Sequence, residues 1–185
     1  MQTDRIQAAV RELLIAIGEN PDRDALKSTP EKVAIAYASF FRGVGQDPMA
    51  AIGETFEAKR DELVVLKDIE LVSICEHHLL PFTGVAHIGY LPAGKLAGLG
   101  RLAAVVEILA ARPQLQENLT SEVADAVSGA LGAQGVVVVI EARHQCVASR
   151  GARQPEVNTL TVATRGIFND PIHRQEVMGL INRSS

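Results

Sequence analysis

Between Glu62 and Phe168 the spacing of apolar residues changes twice, and the order of those changes limits the folds open to the chain more than any other feature. ELVVLKDIELVSIC, Glu62–Cys75, supplies two short strand-like runs, and GVAHIGYLP, Gly84–Pro92, supplies another before a glycine-rich turn. Alternation with period two is the mark of strands. Two helical stretches follow: Leu102–Ala111, stopped by Pro113, and Leu115–Leu131, with Leu119, Val123, Val127 and Ala130 or Leu131 on one face. GVVVVIEARHQC, Gly135–Cys146, returns to strand, and NTLTVATRGIF, Asn158–Phe168, alternates well enough to pair with it. Strand, strand, helix, helix, strand, strand predicts an α+β fold, an antiparallel four-stranded sheet with two helices on one face, rather than a doubly wound sheet. Such a sheet leaves its outer strands unpaired and nothing in the sequence looks like a plug, so several copies are expected to join edges as a homo-oligomer.

Helices flank this core. Ile6, Val10, Leu13, Leu14 and Ile17 recur at helical spacing, with Thr3 as a candidate cap and Gly18 near the end. In KSTPEKVAIAYASFFRGVG, Thr29 is a candidate N-cap, Pro30 suits the first helical position, and Gly43 or Gly45 can end the helix. Residues 46–60 read as linker. The expected organisation is an N-terminal helical region over 1–60 and the sheet region over 61–185, together one functional domain.

The chain has 185 residues, 47% hydrophobic and 22% charged, enough for a sizeable core. A net charge of -4 gives no global attraction to nucleic acid or anionic lipid, so neither is expected as a partner and phosphate recognition needs a local basic pocket. MQTDRIQAAVRELLIAIGEN breaks its apolar residues with charges, unlike a signal peptide, and no later window approaches a membrane span. A cytoplasmic location is expected.

Chemistry concentrates in SICEHHLLPF, where Cys75, Glu76, His77 and His78 are consecutive. Cys75-x-x-His78 is a compact pair of ligands for Zn2+. In RHQCVASRG, strand alternation is expected to put His144 and Cys146 on one face, bringing a second thiol and another imidazole. Cys75, His78 and Cys146 then make three ligands with no convincing fourth, which is the composition of a catalytic site rather than a structural one. His77 and His144 would stand beside it, with ordinary pKa values of about 6.5 suited to acid and base steps. The alternative is that both cysteines are buried small residues or an oxidised pair, and that His77 and His78 cap a strand end. His87 and His173 lack partners at ligand spacing and read as structural or surface residues.

CEHH, GLGRLAAVVEILAARPQLQENLT and HQCVASRG, in this order and spacing, resemble the GTP cyclohydrolase I family, and the resemblance runs from DALKSTPEKVA to RGIF. It implies a tunnelling fold whose subunits form toroidal homo-oligomers, in that family a decamer of two five-membered rings. It implies hydrolytic opening of the guanine imidazole ring of GTP, loss of C8 as formate, rearrangement of the ribose and closure to 7,8-dihydroneopterin triphosphate. Within that reaction, Zn2+ on Cys75, His78 and Cys146 would activate water towards C8, His144 would protonate the purine ring nitrogen, and His77 would be the second proton shuttle. Gln116 and Glu117 match the family's base-recognition pair, although on their own they read as a solvated first turn of helix. Lys32, Arg101 and Arg150 match its basic, phosphate-binding set, and Leu99 and Glu76 match further substrate-binding positions.

Three positions depart from the family. Ile35 stands where a basic residue is expected, Ala104 where an Arg is expected, and Gly100 where a hydroxyl-bearing residue is expected. Charge-assisted hydrogen bonds are worth roughly 1.5–3 kcal/mol each, so losing two weakens phosphate binding by about 3–6 kcal/mol unless Arg153 or a neighbouring subunit substitutes. Two other readings follow: ring opening of a guanine derivative with fewer or no phosphates, and a non-catalytic zinc-bearing oligomer that binds a purine or a protein partner.

Overall fold

A computed structural model describes residues 1–182, which fall into two compact units, residues 1–42 and the chain from Gly43 onward. In the first unit, α1 (Thr3–Ala16) packs against α2 (Thr29–Phe40). Gly18 follows α1 with φ +88°, a left-handed conformation suited to glycine. The expected caps differ in detail. Thr3 and Thr29 are the first helical residues behind Gln2 and Ser28, neither helix has a side-chain cap bond among the described residues, and α2 ends at Phe40 with Phe41 as its C-cap, before Gly43.

The second unit carries the sheet. After a short 3-10 turn at Ala50–Ile52, β1 (Thr55–Glu57) pairs antiparallel with β4 (Lys95–Ala97), so residues 46–60 are more than linker. The main sheet contains β2 (Val64–Cys75), β3 (Pro81–Leu91), β5 (Pro113–Gln114), β6 (Gly135–His144) and β7 (Thr159–Gly166), in the order β5-β2-β3-β6-β7. The four long strands are antiparallel, as expected from the periodicity. The fifth, β5, has only two residues and lies parallel to the end of β2.

One face of the sheet is covered by α3 (Leu99–Ala110), which packs on β2, and α4 (Gln116–Leu131), which packs on β6 and β7. Phe82, Ile88, Leu102, Val105, Leu119, Val123, Val138 and Ile140 are all 0% exposed in this core. On the other face α6 (Pro171–Ile181) sets Val177 and Ile181 against Val137, Val139 and Phe168. Asp170 caps α6 by accepting from the N–H groups of Ile172 and His173, so His173 belongs to a helix start. Cover on both faces explains why the run from Val136 to Ile140 is continuously apolar rather than alternating.

The two short runs expected over Glu62–Cys75 are one strand broken by a bulge. Register slips between Leu66 and Ile69, where Asp68 has φ +58°. The buried His87 secures it: the Asp68 N–H donates to His87 Nδ1 at 3.1 Å. An acceptor nitrogen is unprotonated, and burial pushes the His87 pKa down against the opposing pull of Asp68 and Glu141. His87 is therefore a neutral structural group, and its approach to the Asp68 carboxylate is no ion pair.

At Gly84 the strands β3 and β6 come so close that an added Cβ would sit 1.9 Å from the Glu141 carbonyl oxygen. Gly84→Ala is therefore expected to destabilise the fold by roughly 3 kcal/mol or more, measured by denaturant unfolding. A second expectation concerns pH. The depressed His87 pKa means the unfolded chain binds more protons between the folded value and about 6.5, so the contribution is complete above that window and is lost as pH falls through it. His87→Asn, which keeps an acceptor for the bulge, should flatten that acid-side loss. His87→Leu should flatten it too, but at a cost of about 1–3 kcal/mol at neutral pH; an unchanged acid-side slope in both variants would contradict the assignment.

Candidate metal centre and active-site cleft

Every group in the cleft is placed by the end of a strand. Cys75 is the last residue of β2, and the chain reverses at once: its carbonyl accepts from His78 N–H and Leu79 N–H, and its own N–H donates to Leu80 O. Leu79 completes the reversal with φ +52°, an uncommon conformation for a residue with a side chain. The tight turn swings His78 back towards the strand end, with its Nδ1 3.9 Å from Cys75 Sγ.

The neighbouring strands supply the rest. β3 pairs with β6 so that Phe82 faces His144, the last residue of β6, and their rings stack at 4.6 Å with planes 14° apart. The chain then turns directly into the one-turn helix α5 (Gln145–Ala148), which carries Cys146. Strand alternation is thus not what directs Cys146, because the strand ends before it; the first turn of α5 carries the thiol inward instead. The parallel pairing of Ile74 with Pro113 and Cys75 with Gln114 pins the start of α4, and with it Gln116 and Glu117, beside the same strand end. Nothing in the sequence marked β5, since two residues carry no period.

Ligand atoms of Cys75, His78 and Cys146 lie within 4.8 Å of one another, and no fourth His, Cys, Asp or Glu joins them among the described residues. Both cysteines are free thiols. Burial, then the adjacent Cys75, pushes the Cys146 thiol up, while Arg150 pulls the other way. Around this group opens a cleft of about 420 Å³, whose lining includes His77, Gln114, Gln116, Glu117 and His144. His77 is exposed, its ring edge-on to that of His78. Burial holds the His144 pKa below the ordinary imidazole value, and Glu117 opposes the shift. Glu117 is exposed and its carboxylate has no hydrogen-bond partner among the described residues. Gln116, by contrast, is 1% exposed and turned inward.

The family model for GTP cyclohydrolase I matches residues 6–182. The chain belongs to the GTP cyclohydrolase I family. It is 51% identical to a GTP cyclohydrolase 1 of Streptomyces griseus over 96% of this chain and 89% of that one. It is 53% identical to one of Rhodopirellula baltica over 98% and 80%, and 51% identical to one of Leifsonia xyli over 96% and 94%. The α+β sheet, with α3 and α4 on one face and α6 on the other, is the tunnelling fold of that family.

The residues expected to bind substrate are only partly gathered in the cleft. Glu76 is exposed beside Cys75, its N–H donating to Gln114 O. Arg150 is exposed just past α5. Arg101 and the exposed Leu99 lie on the first turn of α3, where Arg101 lines a different cleft with Gly53, Glu54, Phe56 and Gly98. Lys32 and Ile35 are on α2 of the N-terminal unit. Sequence reasoning missed Phe82, Gln114 and the threonines behind Gln116, because their roles depend on partners far away in the chain. No helix among the described residues is long and apolar enough to cross a membrane.

Proposed function

We propose that this protein is a zinc-dependent GTP cyclohydrolase I, opening the guanine imidazole ring of GTP with release of formate and formation of 7,8-dihydroneopterin triphosphate. The observation that carries the proposal is the group of two thiols and one imidazole lining a cleft that also holds His144, His77 and Glu117, whose carboxylate has no hydrogen-bond partner among the described residues. The donor set fits zinc. In a tetrahedral site with Zn–S of about 2.3 Å and Zn–N of about 2.0 Å, sulfur and nitrogen stand roughly 3.5 Å apart, close to the 3.9 Å between Cys75 and His78. When bound by Cys75, His78 and Cys146, zinc supplies the Lewis acidity that makes water a nucleophile near neutral pH.

The chain's own residues do the rest. Glu117 accepts from the guanine ring N–H and exocyclic amine, a pairing adenine does not offer. His144, held against Phe82, gives a proton to the purine ring nitrogen, which makes C8 electrophilic; His77, exposed and free to move, serves the later ribose steps. Arg101, Arg150 and Lys32 contact the phosphates, and Leu99 and Glu76 complete the substrate pocket. Because β7 pairs with β6 and with no other strand among the described residues, its outer edge is open to a strand of another copy, which supports a toroidal homo-oligomer, a decamer on the family pattern, in which residues of neighbouring copies complete each pocket. The location is cytoplasmic, and neither nucleic acid nor membrane is a partner.

Purified protein with zinc and GTP is expected to release formate and a product that fluoresces as a pterin after oxidation. Across GTP, GDP, GMP and guanosine, turnover should fall with each phosphate removed; efficient turnover of the shorter compounds instead would transfer the activity to another guanine derivative, the reading that Ile35 and Ala104 favour. Chelation should abolish formate release and zinc should restore it. Cys146→Ser should drop zinc well below one ion per chain and lower formate release at least about 100-fold. Zinc retained with four protein ligands and no turnover would favour the non-catalytic oligomer.

A further inference from the structure

The buried amide of Gln116 has no role in the reaction as proposed, yet its hydrogen bonds determine where a proton sits. Nε2 lies 3.0 Å from the carbonyl oxygen of Ile140, 2.9 Å from that of Thr159 and 3.1 Å from Thr161 Oγ1. Main-chain carbonyls only accept, so the end of the amide that faces them must be the donor; a flipped amide would set its oxygen against two acceptors with no proton between. That orientation leaves Oε1 at the other end, 2.7 Å from His144 Nε2. An amide oxygen has no proton to give. His144 Nε2 therefore carries one, in the neutral ring as well as in the imidazolium.

The surrounding hydroxyls agree in direction. Thr120 Oγ1 donates to Gln116 O at 2.7 Å, so its proton is spent, and the proton of Thr161 goes to the 2.6 Å contact with Thr120 Oγ1 rather than to Ile140 O at 3.5 Å. The lone pairs of Thr161 then remain to accept from Gln116. Both polar atoms of the Gln116 side-chain amide have protein partners, which leaves neither to read a guanine. The stacked ring of Phe82, 0% exposed, fixes the plane in which His144 lies, and among the described residues Nδ1 has no hydrogen-bond partner.

We propose that Gln116 is a positioning residue that holds His144 as the Nε2–H tautomer, so that Nδ1 is the one ring nitrogen that exchanges a proton with the substrate. In the ring-opening reaction, on whose reading this last clause rests, the imidazolium gives its Nδ1 proton to the purine nitrogen and returns to the neutral Nε2–H ring. The bond to Gln116 is unbroken throughout. Base discrimination then falls to Glu117 without help from Gln116.

The test is nitrogen-15 NMR of histidine-labelled full-length protein at a pH where the rings are neutral, with the His144 signals assigned by their loss in His144→Ala. The proposal expects a pyrrole-type ε nitrogen and a pyridine-type δ nitrogen for His144, and in Gln116→Met a redistribution between the two tautomers. A pyridine-type ε nitrogen in the unaltered protein overturns it, whether or not the variant folds, and so does a Gln116→Met spectrum identical to the original. In kinetics, Gln116→Met should lower kcat about 100-fold with little change in KM. Its preference for GTP over inosine triphosphate, which lacks the exocyclic amine, should be unchanged; loss of that preference would make Gln116 a base contact and overturn the proposal. Should the unaltered protein leave GTP intact, the ring-opening reading falls, whereas the nitrogen shifts still decide the tautomer.

Discussion

The ladder joining β2, β3 and β6 stops along one edge, and the chemistry of the molecule is anchored there. Cys75 ends β2, Phe82 stands near the start of β3, and His144 ends β6 directly opposite Phe82. Hydrogen bonds between strands fix such positions more closely than free loops can, and proton transfer and metal coordination both require positions held to fractions of an ångström. The close approach at Gly84 serves the same end, since any side chain there would part β3 from β6 two residue pairs from His144. Only the last step to each functional atom is left to local turns: the reversal through Leu79 for His78, and the single turn of α5 for Cys146.

Much of this was legible in the residues alone, for reasons that are local. Cys75 and His78 are three apart, and a chain that reverses between two strands brings such residues together whatever its details. The order of periods gave the four long strands and the helices α3 and α4, because burial on one side leaves a repeat that can be read. What could not be read depended on distant partners. The bulge at Asp68 needs His87, nineteen residues on, to satisfy its N–H. β5 exists only because the strand end of β2 offers it hydrogen bonds. The convergence of His144 and Cys146 was expected from strand alternation, and although the residues do converge, a helical turn is responsible. Gln116 shows the limit most clearly: as a sequence position it is a polar residue in the first turn of a helix, and only Ile140, Thr159 and Thr161, on strands folded behind it, turn its amide inward.

Burial tunes the groups in the cleft in opposite senses that suit one another. His144 loses hydration and is held neutral, while its ring remains reachable from the cleft. The Cys146 thiol is pushed up by burial and by Cys75 beside it, so in the metal-free chain Cys146 favours the protonated form. A divalent cation held there would reverse that preference, because a thiolate is attracted to it; such binding would release protons and tighten as pH rises. Glu117, exposed and close enough to act on the ring, opposes the effect of burial and favours a protonated His144.

The departures at Ile35 and Ala104 are on helices rather than at the strand ends, and their physical weight differs accordingly. Ile35 is 64% exposed on α2, one turn from Lys32, and Ala104 is one turn from Arg101 on α3. Contacts between phosphates and long exposed side chains are electrostatic and forgiving: a cation anywhere within a Debye length of about 8 Å contributes, and no single atom has to stand at a fixed point. Proton transfer allows no such latitude, since a donor misplaced by an ångström loses most of its effect. Losing two basic side chains therefore acts on how tightly the substrate is held and on how strongly that depends on salt. The buried ladder, the stacked Phe82 and the amide of Gln116 hold His144 in place, and none of their contacts uses Ile35 or Ala104.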